Sequence, residues 1–217
     1  MPASARGFDP TDHYEVRQDR GWTLRINRKL LAANSIVSSN VFQVVDQQLF
    51  QITRVVPEPA LSRLREVTLW IEWFNPLNPC SCYHPSADWL RQHDMNPQKA
   101  QSVEISNATN FIAWTHEQPW MLLHELAHSY HHRVIGYENK EIKAAYQEAL
   151  ASHRYELVMN YQGRRVRHYA LTNEQEYFAE CSEAFFGVND FYPFVRAELK
   201  EFDPKTEALL ARLWGKN

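Results

Sequence analysis

An α+β fold is predicted for this 217-residue chain by two features of its apolar patterning. Runs with the alternation or the β-branched and aromatic content of strands are short and scattered. Longer stretches whose apolar residues recur at helical spacing lie between and after them. With 44% hydrophobic and 13% aromatic residues, the chain can bury one substantial core without covalent staples. Only 6 Gly and 11 Pro, with no low-complexity run and no internal repeat, argue against long linkers. The expected organisation is an irregular N-terminal arm over 1–21 followed by a single domain over 22–217.

Up to Gly21 the chain is polar and aperiodic, with Asp9-Pro10-Thr11-Asp12 reading as a turn, which gives the arm. Trp22-Thr23-Leu24-Arg25-Ile26-Asn27 alternates as a strand does, and Val67 to Phe74 has the content of a central strand. Between Asn40 and Val56 the residues Val41, Val44, Val45, Leu49, Ile52 and Val56 form a helical stripe that Pro57-Glu58-Pro59 ends. Asn75 to Asn96, punctuated by Pro76, Pro79 and Pro85, reads as a loop-rich insertion, either a cleft wall or a plain connector. Ser102 to Asn107 alternates and leads through Phe111-Ile112-Ala113-Trp114 into the next helix. That arrangement places a strand edge, open to pairing with an extended peptide, beside the helix. Further helices are expected over Glu141 to Ser152 and over Asn173 to Phe186, the latter capped by Thr172 or Asn173 and stopped by Gly187. Tyr155 to Tyr161 and Val166 to Leu171 read as two strands around Gln162-Gly163-Arg164, and Pro193 and Asp203-Pro204 divide the tail into short helices.

The net charge of −3 gives no general attraction for nucleic acid or for an anionic membrane, so neither partner is expected. The basic run Arg164-Arg165-Val166-Arg167-His168 reads as a solvated hairpin edge. No apolar run approaches the roughly 20 residues of a transmembrane helix, and the first nine residues lack the apolar centre of a signal peptide. The expectation is a soluble chain, cytoplasmic by default and secreted if a signal has been removed. Of the 3 cysteines, Cys80 and Cys82 are one residue apart, too close for an unstrained disulfide, and are expected as thiols. With His84 they form half of a second metal site for which no matching half exists, and Cys181 reads as a small core residue.

The chemistry is concentrated in Pro119-Trp120-Met121-Leu122-Leu123-His124-Glu125-Leu126-Ala127-His128, which contains His-Glu-x-x-His. A helix advances about 3.6 residues per turn, so His124 and His128 project from one face, close enough to hold one cation. Glu125 lies about 100° around from His124, where its carboxylate reaches a water on the metal without being a ligand. This is the arrangement that metal-assisted hydrolysis needs. The pattern arises by chance in roughly a few per cent of chains of this composition, so context carries weight. Pro119 suits a first turn, Trp120, Leu123, Ala127 and Val134 recur at helical spacing, and Gly136 is a natural stop. The competing reading is a pair of hydrogen-bonded core histidines.

A catalytic zinc usually has three protein ligands, so one more side chain is required. Glu148, 20 residues after His128, has a spacing similar to that of thermolysin-like peptidases, although Ser152 stands where that family has an Asp. The rival is Glu176 in Tyr169-Ala170-Leu171-Thr172-Asn173-Glu174-Gln175-Glu176-Tyr177-Phe178-Ala179-Glu180, with Glu180 one turn further along the helix.

That stretch resembles the anthrax lethal factor-like metallopeptidases, in which a Tyr, then Thr-Asn-Glu-x-Glu-aromatic-Phe-Ala-Glu, follow a His-Glu-x-x-His helix. The likeness covers about Ser102 to Phe186. It implies a zincin-like metallopeptidase domain with a small mixed sheet and an active-site helix packed beneath it, the metal-site core spanning about 102–187. It further implies one catalytic Zn2+ held by His124, His128 and Glu176, with Glu125 as general base. Tyr169 would donate to the developing oxyanion, and Glu180 would lie behind the ligands to orient one of them. The function implied is a zinc-dependent endopeptidase acting on a peptide or protein substrate. The alternatives are a catalytically silent module that binds metal and peptide, and a thermolysin-like peptidase using Glu148.

Overall fold

The computed structural model describes residues 7–33, 35–76 and 78–215. Its sheet begins with β1 (Tyr14–Asp19) and β2 (Trp22–Asn27), an antiparallel hairpin. Arg20 and Gly21 both have positive φ at the turn, the geometry a two-residue hairpin loop requires. The predicted arm is therefore corrected over Tyr14–Asp19. Only Tyr14 of this edge strand is buried, so it carries no apolar alternation that a sequence could display. The first six residues of that arm lie outside the described residues.

After β2 come α1 (Arg28–Ala33) and α2 (Ser35–Val55), and α2 buries the expected stripe of Val41, Val45, Leu49 and Ile52. The short helix α3 (Ala60–Arg65) leads to β3 (Leu69–Ile71), the predicted central strand, buried along its whole length. The insertion folds back as β4 (Ser81–His84) and α4 (Ala87–Gln92), and β5 (Ser102–Ile105) follows. The sheet order is β1-β2-β3-β5-β4, with β2, β3 and β5 parallel and β4 antiparallel to β5. The mixed α+β class is as expected, but β5 is an interior strand. The open edge belongs to β4, inside the stretch read as loop or cleft wall.

Phe111–Trp114 also departs from expectation, forming the end of helix α5 (Ala108–Trp114). The side chain of Asn107 accepts from the backbone N–H of Asn110 and caps that helix, and Ala108 and Phe111 share its buried face. The His-Glu-x-x-His segment is α6 (Met121–Tyr130), with Pro119 in the turn before it. It continues as a π-helical turn over His131–Ile135, which Gly136 ends at φ 88°. The wider turn rotates Val134 off the apolar face, leaving it 45% exposed.

Helix α7 (Lys140–Ser152) is as expected, whereas the predicted strand pair shrinks to β6 (Val158–Met159) and β7 (Arg165–Val166). Tyr169–Leu171 is a 3-10 turn in place of strand, because the Nδ1 of His168 accepts from the backbone N–H of Ala170 and curls the chain. Asn173 caps α8 (Glu174–Phe186), and α9 (Arg196–Phe202) and α10 (Pro204–Leu213) form the tail. Among the described residues, no helix is long and apolar enough to cross a membrane.

Helix α6 packs against β4 and β5, against α2 and α3, and against α8. Two contacts fix the α6–α8 pairing. Trp214 is fully buried, stacks on Tyr130 of α6 at 4.2 Å between ring centres, and donates its indole N–H to Ser182 Oγ of α8 at 3.0 Å. At the other end, Gly187 lies so close to the Trp120 ring that a Cβ there would stand 2.0 Å from it. Two helices locked at both ends can hold side chains of one opposite side chains of the other.

Candidate metal centre

Helix α6 contributes His124 and His128, and α8 contributes Glu176 in its first turn, where the Asn173 side chain accepts from the Glu176 backbone N–H at 2.8 Å. Their facing atoms form a small triangle. His124 Nε2 is 3.1 Å from His128 Nε2 and 3.0 Å from Glu176 Oε2, and His128 Nε2 is 3.3 Å from the same carboxylate oxygen. A tetrahedral zinc with ligands at about 2.0–2.1 Å places those ligands about 3.3–3.4 Å apart. The triangle is thus already close to the size the ion demands, and two imidazoles with one carboxylate are a donor set suited to catalytic zinc.

Electrostatics favour a cation at the same place. Burial opposes charge on His124, yet its contacts with Glu176 and Glu183 outweigh that cost and raise its pKa well above the ordinary value. Burial likewise opposes charge on Glu176, but the two imidazoles hold its carboxyl far below the usual range.

Behind the triangle, His124 Nδ1 is 2.7 Å from Glu183 Oε1 and 3.5 Å from Glu180 Oε1. The role of orienting this imidazole, expected of Glu180, therefore falls chiefly to Glu183, which the sequence reading missed. The signal was present: seven positions return a helix to within about 20° of the starting face, so Glu183 stands almost in line with Glu176, and Glu180 is about 40° off.

Glu125 is buried beside the triangle and is not part of it. Its Oε2 accepts from the backbone N–H of Tyr83 in β4 at 2.8 Å, and Ser81 Oγ lies 3.5 Å from Oε1. The edge strand thus aims one carboxylate oxygen and leaves the other weakly engaged. Tyr169 is 47% exposed on the same cleft, and burial followed by the Glu176 charge raises its phenol above the ordinary pKa, so it stays a hydroxyl donor. The cleft has a volume of about 630 Å³ and reaches from Cys80–Tyr83 of β4 across the triangle to Asp190 and Phe191. The insertion carrying β4 is therefore a cleft wall.

Glu148 is not in this cleft. It sits on the outer face of α7, half exposed, paired with Lys205 at 2.5 Å, which removes it as a third ligand. Cys80, Cys82 and Cys181 are free thiols, as expected. Cys82, His84 and Glu104 do converge, but His84 Nε2 is 2.6 Å from Glu104 and Lys99 Nζ is 2.8 Å from it. Despite burial, these two neighbours hold Glu104 at about 2. Lys99 also pairs with Glu72, so the Glu104 charge is already offset by a protein cation.

His168 positions Tyr169. It is almost fully buried, its Nδ1 accepts the N–H that closes the Tyr169–Leu171 turn, and burial pushes its pKa from 6.5 down to about 3. As pH falls below 6.5 the unfolded chain takes up a proton that the folded chain refuses, so stability is lost progressively between about 6.5 and 3. Denaturant titrations should show His168→Gln lowering the slope of unfolding free energy against pH by about 1.4 kcal/mol per pH unit in that window. An unchanged slope would mean that His168 is protonated in the folded chain.

No family model, curated protein or solved structure matches the chain.

Proposed function

We propose that this chain is a zinc-dependent endopeptidase with a zincin-like domain, binding one catalytic zinc through His124, His128 and Glu176. The observation that carries the reading is the triangle of Nε2, Nε2 and Oε2 atoms at 3.0–3.3 Å, opening on a cleft that also presents Glu125. Bound there, zinc would polarise the scissile carbonyl and acidify a water.

The chain's own groups supply the rest. Glu125, aimed by the Tyr83 N–H, takes the proton of the attacking water and later delivers it to the leaving amine. The Tyr169 hydroxyl donates to the carbonyl oxygen as negative charge develops on it. Glu183 accepts from Nδ1 of His124 and holds that ring with Nε2 toward the triangle. β4 is the edge strand of the sheet and lines the cleft, where an extended peptide can lie alongside it, with the Tyr83 N–H kept by Glu125.

The test is digestion of a diverse peptide library by the zinc-loaded protein, read by mass spectrometry with and without a chelator. Cleavage that appears with zinc and stops with chelation is expected. A protein that holds one zinc per chain and cuts nothing would be a non-hydrolytic module that binds metal and peptide.

A further inference from the structure

The site holds more buried carboxyl groups than its chemistry uses. A divalent ion bound at the triangle would be offset by Glu176 directly and by Glu183 through His124, and Glu125 is the proposed base. That leaves Glu180 and Asp190, 1% and 5% exposed. One carboxylate oxygen on each of Glu180, Glu183 and Asp190 is buried and has no hydrogen-bond partner among the described residues. The groups nearest Glu180 and Asp190 are Glu183, His124, Gln118, Asn189 and His168, the last 3.7 Å from Glu180 Oε2, with no lysine or arginine among them. Burial and the Glu183 charge push Asp190 up to about 6. Buried carboxylates without a counter-charge are costly, and a ligand that supplies one recovers that cost.

Asp190 is placed to meet such a ligand. It lines the cleft, and its one side-chain hydrogen-bond partner among the described residues is the neutral Gln118 amide, 3.3 Å from Oδ2. Gln118 is tied by its backbone N–H to the carbonyl of Trp114, a half-exposed residue that lines the same cleft. Phe191 follows Asp190 in the chain and also lines the cleft. Its ring stacks on His168 at 5.0 Å, which fixes it. Two aromatic side chains on the same cleft as a buried carboxylate suit an organic cation with an aliphatic stem.

We infer that the end of the cleft formed by Trp114, Gln118, Asp190 and Phe191 is a specificity subsite for a lysine or arginine side chain of the peptide substrate. The inference rests on the endopeptidase reading and adds to it the class of residue flanking the bond to be cut. The cation's methylenes lie along Trp114 and Phe191, and its N–H groups donate to Asp190.

Binding tests this without turnover. Zinc-loaded Glu125→Gln protein is titrated with two peptide libraries of equal length and otherwise neutral composition, one carrying lysine and the other norleucine at a fixed central position. The lysine library is expected to bind about tenfold more tightly, the ratio one charge-assisted hydrogen bond supplies. Adding Asp190→Asn should bring that ratio close to one. Gln118→Lys, a change at the partly exposed rim, places a tethered ammonium against Asp190 and should do the same, so a folding failure of the Asp190 variant does not decide the matter. Equal binding of the two libraries, or a preference that survives both substitutions, overturns the subsite and leaves the peptidase reading standing. Binding of neither library overturns the subsite, and library digestion by the unaltered protein decides the peptidase reading independently. A second metal ion per chain that vanishes in Asp190→Asn would assign the carboxylate to a metal and overturn the subsite as well.

Discussion

Glu125→Gln is expected to keep one zinc per chain and to lose peptide hydrolysis by about two orders of magnitude or more. The expectation follows from where the carboxylate stands. The three atoms of the metal triangle come from His124, His128 and Glu176, and Glu125 contributes none of them. A glutamine has the same shape, and its carbonyl oxygen can still accept from the Tyr83 N–H that holds the side chain now. Ligand geometry and the α6–β4 contact therefore survive, and what disappears is the capacity to take a proton from water and return it to the amine. Metal content by atomic spectroscopy, melting temperature and turnover on one cleaved peptide separate these effects. If metal and activity are lost together, Glu125 belongs to the metal site and the division of labour is wrong.

How far the sequence foretold this arrangement depends on what a pattern can carry. His124, Glu125 and His128 were legible because helical periodicity alone decides that two residues four apart share a face. Glu176 was legible only through a resemblance, since nothing in a linear chain says that the first turn of α8 meets the middle of α6. That contact is made by Trp120, by Ser182 and Gly187, and by Trp214, which come from three separate stretches. Glu183 obeys the same periodicity, seven residues on from Glu176, but only the packing of α8 on α6 shows that it reaches His124.

The failures in the sheet have a common cause. β1 and β4 are edge strands, and edge strands need not alternate, because burial on one face is incomplete and charged residues are tolerated. Val67 to Phe74 shows the converse: its central strand Leu69–Ile71 is buried along its whole length and was legible from the β-branched and aromatic content of the segment. Asp190 could not be singled out from the chain, since the burial of its unpaired oxygen is a property of the packed structure.

Glu176→Gln is expected to lower zinc affinity more than any other carboxylate change in the chain. Removing an outer carboxylate that orients a metal-binding imidazole costs about 10–100-fold in affinity, and Glu176 supplies a donor atom and a charge, so its loss should exceed that range. Glu183→Gln should fall within it, because His124 Nδ1 keeps an amide oxygen at 2.7 Å in place of a charged partner. Glu180→Gln should cost less than Glu183→Gln, its oxygen being 3.5 Å from the same nitrogen. Glu148→Gln should leave affinity unchanged, since an exposed pair with Lys205 contributes at most about 1 kcal/mol to stability and nothing to the centre. Competition of each protein against a chromogenic zinc chelator gives the order directly. A larger loss for Glu148 than for Glu176 would move the third ligand to α7 and require α7 to turn its outer face toward the cleft. A larger loss for Glu180 than for Glu183 would mean that the ion draws the His124 ring toward Glu180. Either result would change the proposed ligand set or its support, and the Asn173 side chain, which accepts from the Glu176 backbone N–H, keeps the start of α8 capped in Glu176→Gln.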